Sequence, residues 1–136
     1  MRNINKIIIH CSATPEGKAF SVEDIRRWHL QRGFADIGYH FVIYLDGSVN
    51  VGRPLAKAGA HCKGNNAHSI GVCYIGGVAT DGKTPKDTRT EAQKRSLVRL
   101  ITELRQQFPN ASVHGHREFA NKACPSFNAR DEYKDL

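Results

Sequence analysis

Lys6-Ile7-Ile8-Ile9-His10 is a short β-branched run that closes on an imidazole. Such a run favours a short β-strand. A polar residue at the end of such a strand stands where open α/β sheets present their chemistry.

The flanking sequence supplies the rest of such a sheet. Cys11 to Phe20 reads as loop, and Ser21 with Asp24 three residues on forms a capping box. Val22, Ile25 and Trp28 then follow at helical spacing until Gly33 ends the pattern. Tyr39 to Leu45 favours strand, Asp46-Gly47 is a hairpin turn, and Ser48 to Val51 can return antiparallel. Ser69 to Ile75 predicts a further strand, and the Gly-, Asp-, Thr- and Lys-rich stretch Gly76 to Arg89 a mobile surface loop. Thr90 with Gln93 opens a second helix, whose Leu97, Leu100, Ile101, Leu104 and Phe108 form one apolar face able to cover a sheet. Pro109-Asn110 stops it, Ala111 to His114 predicts a short strand, and a helical turn is expected from Asn128. This order describes an α/β fold with a central mixed β-sheet flanked by α-helices, in a single domain over residues 1–136.

Composition narrows the class. Twenty Lys and Arg against thirteen Asp and Glu give +7, an attraction to anionic partners that nucleic acid, acidic lipid or a wall polymer would all satisfy. A recognisable nucleic-acid motif or aromatic-basic cluster is missing, so nucleic acid is not expected as a partner. No apolar run approaches the roughly 20 residues of a membrane span, and no secretion signal is read at the start. Synthesis in a cytoplasm is therefore expected, and the four Cys read as thiols rather than as two disulfides.

Chemistry-bearing residues gather at strand ends. His10 closes the first strand, Tyr39 opens the hairpin, and the segment from His114 to Pro125 holds His116, Lys122 and Cys124. Two ligands on one loop with a third from a distant strand would build a zinc site with an open fourth position. Spacing alone leaves the blander alternative standing, in which these are hydrogen-bonded or surface side chains, because neither HExxH nor paired CxxC is present. A Cys-His nucleophilic hydrolase using Cys124 and His116 is a further alternative.

Four strings in order, Ile9-His10-Cys11-Ser12-Ala13-Thr14, Gly38-Tyr39-His40-Phe41, Ser69-Ile70-Gly71-Val72-Cys73 and Lys122-Ala123-Cys124-Pro125-Ser126-Phe127, resemble the N-acetylmuramoyl-L-alanine amidase family, whose fold peptidoglycan recognition proteins share. The resemblance implies zinc held by His10, His116 and Cys124, catalytic roles for Tyr39 and Lys122, and a substrate groove lined by His61 and Asn66. It implies cleavage of the amide between N-acetylmuramic acid and L-alanine in bacterial peptidoglycan by a monomeric phage or prophage endolysin that reaches the wall on lysis. Retention of Cys124 argues against a non-catalytic peptidoglycan-binding module, since binders in the family typically replace that thiol. A phage member also inhibits its RNA polymerase partly through its amino end. The nine residues ahead of His10 are fewer than in that relative and argue against such a partner here. His114 is expected to belong to its strand, and His29, His40 and His68 to be structural or surface residues.

Overall fold

The computed structural model describes residues 2–136. Strand β1 (Lys6–Cys11) lies inside a five-stranded sheet, with β5 (Ser69–Tyr74) on one side and β7 (Ser112–Gly115) on the other, both parallel to it. Strand β3 (Phe41–Ile43) runs parallel to β5, and β4 (Val49–Val51) adds the antiparallel edge. The sheet is therefore mixed, in the order β4-β3-β5-β1-β7.

Alternation along the strands divides the core in two. Ile7 and Ile9 of β1 with Ile70, Val72 and Tyr74 of β5 pack against Leu97, Leu100, Ile101 and Leu104 of α2 (Glu91–Gln107). Phe127, just ahead of α3 (Ala129–Tyr133), and Tyr133 within it join the same cluster. On the opposite face α1 (Val22–Gln31) contributes Val22 and Ile25 to a smaller cluster with Ile37, Val42 and Ile75. Helices thus flank the sheet on both sides, and both capping boxes close as expected: Asp24 N–H donates to Ser21 Oγ at 3.2 Å and Gln93 N–H to Thr90 Oγ1 at 3.0 Å.

Four expectations change. The regular hairpin strand begins at Phe41, not Tyr39, because the Tyr39 carbonyl already accepts from Arg53 N–H, across the mouth of the hairpin, at 2.8 Å. Trp28 is only half-buried, and His29 takes the deep position on α1 with Nδ1 accepting the Gly38 N–H at 2.9 Å. The segment from Cys11 to Phe20 is not all loop, since Thr14–Pro15 (β2) pairs in parallel with Gly77–Val78 (β6) in a second small sheet. Correspondingly, the stretch Gly76 to Arg89 is tied down at both ends. Arg89 is buried, paired with Asp87 and Glu132, and stacked 3.4 Å from the Phe127 ring centroid. Composition reported the polarity of this stretch but not its distant partners.

At the other end of the chain Arg2 donates to the carbonyls of Leu55, Asn66, Ala67 and Ser69. That clamp fixes the segment after β4 against the start of β5. Among the described residues, no helix is long and apolar enough to cross a membrane.

Candidate metal centre

Strand register brings distant residues together. Gly115 lies opposite Ile9, so His116 leaves β7 beside His10, and their ring centroids are 4.5 Å apart. Cys124 arrives from the loop that follows. Arg117 N–H donates to the Cys124 carbonyl at 2.8 Å, and Tyr74 Oη donates to the Pro125 carbonyl at 2.7 Å, which pins the loop to β5. One donor atom each from His10, His116 and Cys124 then lies within 4.8 Å of the others. Cys124 Sγ stands 3.8 Å from His10 Nδ1. Two ligands around a tetrahedral zinc at ordinary bond lengths are about 3.6 Å apart, so this spacing suits a shared ion.

Protonation suits the same use. Burial, then the neighbouring His61, His116 and Lys122, hold the His10 imidazole well below its ordinary value, and burial followed by Lys122 lowers that of His116. Both rings are therefore neutral, the form in which imidazole ligates. Contact with the Cys11 thiol and burial push the Cys124 thiol up, so it keeps its proton until a cation takes the proton's place. The Cys11 backbone N–H already donates to Cys124 Sγ at 3.2 Å, a contact that favours the charged sulfur. No side-chain hydrogen bond engages the His116 ring among the described residues.

The three donors adjoin a cleft of about 470 Å³ whose lining includes Tyr39, His61, Asn66, His116 and Lys122. Arg32 and Lys63 also line it, and among the described residues no carboxylate does. Tyr39 lies 5.1 Å from His10, ring centroid to centroid. Burial, with the Cys73, Cys124 and Cys11 thiols nearby, pushes its hydroxyl well above the usual phenol range, so it stays a hydrogen-bond donor. Lys122 is exposed and lines the cleft. Asn66 Oδ1 accepts from the His61 and Cys62 N–H groups at 3.0 and 2.9 Å, which leaves its amide nitrogen for the cleft. His61 is buried with both ring nitrogens engaged, one of them with His10 Nε2 at 2.8 Å. Spacing arguments missed that contact, and the one hint was a His and a Gly-bearing strand in the same stretch.

The remaining histidines are structural or peripheral. His114 sits in β7 between Ser112 Oγ and Glu118 Oε1, at 2.7 and 2.9 Å. His40 accepts the Gly71 N–H at 3.0 Å, and exposed His68 faces the Asn3 carbonyl.

The chain is similar to known proteins over most of its length. The family model described as N-acetylmuramoyl-L-alanine amidase matches residues 1–127. The endolysin of Escherichia phage T7 is 44% identical over 124 residues, 91% of this chain and 82% of that protein. The endolysin of Klebsiella phage KP32 is 42% identical over 126 residues, covering 93% and 83%. Among solved structures, the N-acetylmuramoyl-L-alanine amidase LysC of Clostridium intestinale superposes with a TM-score of 0.81 at 29% identity, over 96% of this chain and 82% of that one.

Proposed function

Because the chain belongs to the N-acetylmuramoyl-L-alanine amidase family, we propose that it works as an endolysin, with its chemistry at His10, His116 and Cys124. Its reaction is hydrolysis of the amide that joins N-acetylmuramic acid to L-alanine in peptidoglycan. The observation that carries the placement is the set of three donors, two neutral imidazoles and a thiol, within 4.8 Å beside a cleft free of carboxylates among the described residues.

That donor set fits zinc. Nitrogen and sulfur ligands are those zinc prefers, and three of them leave a fourth position open. Zinc bound there would act as a Lewis acid, making water a nucleophile near neutral pH and polarising the scissile carbonyl. The side chains around it complete the reaction. Lys122 brings a positive charge to the oxygen that becomes negative as the carbonyl is attacked. Tyr39, held as a neutral phenol, donates a hydrogen bond that orients the attacking water or the carbonyl. Asn66 and the edge of the His61 ring border the groove that receives the stem peptide. Arg32 and Lys63 add a field that attracts the anionic wall.

Metal analysis of the purified protein, combined with release of new amino-terminal alanine from peptidoglycan, tests the proposal. About one zinc per chain is expected, with alanine release stopped by a chelator and restored by zinc. Full activity in metal-free protein would refute it.

A further inference from the structure

Behind His10 lies a hydrogen-bonded chain that leads away from the cleft. His10 Nε2 is 2.8 Å from His61 Nδ1, and His61 Nε2 is 3.2 Å from Ser69 Oγ. All three side chains are buried. His10 Nδ1 is the nitrogen that faces Cys124 Sγ. For that nitrogen to offer a lone pair, the ring must carry its proton on Nε2, and that proton needs an acceptor. His61 Nδ1 is the atom in place, and the single ring proton of a neutral His61 then falls on Nε2, toward the serine oxygen.

The fold makes room for this ring. A Cβ at Gly71 would come within 2.6 Å of the His61 ring, so only glycine lets the imidazole lie flat on β5. Gly71 pairs with Ile8, two residues before His10 on the same face of β1, which sets the two imidazoles edge to face at 4.9 Å between centroids. The loop supplying His61 is itself held, through the Asn66 side chain and the Arg2 clamp.

We infer that His61, backed by Ser69, is a positioning residue that fixes the tautomer and orientation of His10 as a metal ligand. This rests on the zinc reading proposed above and extends it to residues outside the donor set. Groups that hold a ligating histidine in this way typically change metal affinity about 10-fold to 100-fold when removed.

The test is zinc affinity at fixed pH, by competition with a chromophoric chelator, alongside circular dichroism of the metal-free proteins. His61→Ala is expected to weaken zinc binding about 10-fold to 100-fold. His61→Gln, whose side-chain carbonyl can accept from His10 Nε2–H, should recover most of that loss, and Gly71→Ala, which displaces the ring, should resemble His61→Ala. His68→Ala, on the same segment but exposed, should bind as wild type does. Wild-type affinity in a folded His61→Ala, or equal losses in His61→Ala and His61→Gln, would overturn the role. If His61→Ala does not fold, Ser69→Ala and His61→Gln decide it, the first expected to bind less tightly and the second nearly normally. Failure of the wild type to bind zinc would instead overturn the parent proposal and this one together.

Discussion

On the face of the sheet covered by α2, strands β1 and β5 present Ile7, Ile9, Ile70, Val72 and Tyr74; on the other, the same strands present Ile8, His10, Gly71 and Cys73. Adjacent residues of one strand thus serve unlike purposes. The α2 face is filled by large, mostly apolar side chains held by close packing, with the Tyr74 hydroxyl bonded to the Pro125 carbonyl. The opposite face mixes a small residue, a thiol and imidazoles, and the His10, His40 and His61 rings there each have specific partners. If the chemistry lies where we propose, stability and catalysis are separated by the thickness of a sheet, and substitutions on the two faces should fail in different ways.

Cys124→Ser should have the largest effect. Loss of the sulfur is expected to remove bound zinc and raise the barrier by several kcal/mol, more than about a thousandfold in turnover, while far-UV circular dichroism is unchanged. Retained activity would mean that the polar face does not carry the reaction. Lys122→Ala comes next, with turnover lowered roughly 100-fold to 1,000-fold and zinc content near one per chain. On the apolar face, Ile101→Ala should cost about 2–5 kcal/mol in urea denaturation, yet the folded protein should cleave peptidoglycan at the wild-type rate. A drop in the specific activity of folded Ile101→Ala would show that the two faces are coupled.

The smallest effect concerns pH. Burial, then Arg32 and Arg53, lower His29 to about 4 from the ordinary 6.5. The unfolded chain takes up that proton first as pH falls. His29 therefore adds to stability above about pH 6.5 and loses that contribution between 6.5 and about 4, with a slope approaching 1.4 kcal/mol per pH unit. Denaturation midpoints of His29→Gln at pH 7 and pH 5 should lie closer together than those of the wild type. An unchanged difference would remove His29 from the acid sensitivity of this face.

The apolar face could be read from the chain because periodicity is local. The row from Leu97 to Phe108 and the run Ile7-Ile8-Ile9 each carry their pattern in one stretch, and the capping boxes mark where the helices begin. What escaped depends on partners far away. Thr14–Pro15 becomes a strand only because Gly77–Val78 lies beside it, and Arg89 is buried only because Glu132 and Phe127 return to it. Trp28 gave way to His29 because an imidazole satisfied by the Gly38 N–H can be buried more completely than an indole at the helix edge. In the polar cluster, His10, His116 and Cys124 could be named through resemblance, since their spacing falls into no compact motif. The His61–Ser69 chain behind them needed coordinates, because nothing in the order of residues says which imidazole backs which.

His10 and Cys124 are 114 residues apart, and the exposed turn around Gly82 falls between them. A chain cut at that turn would leave β1 with one donor in the first fragment, and the second fragment with the other two. Neither piece alone could close around an ion. Recombining them would reunite the three donors only as β7 of the second fragment zips onto the free side of β1, so metal uptake would become a direct readout of fragment complementation.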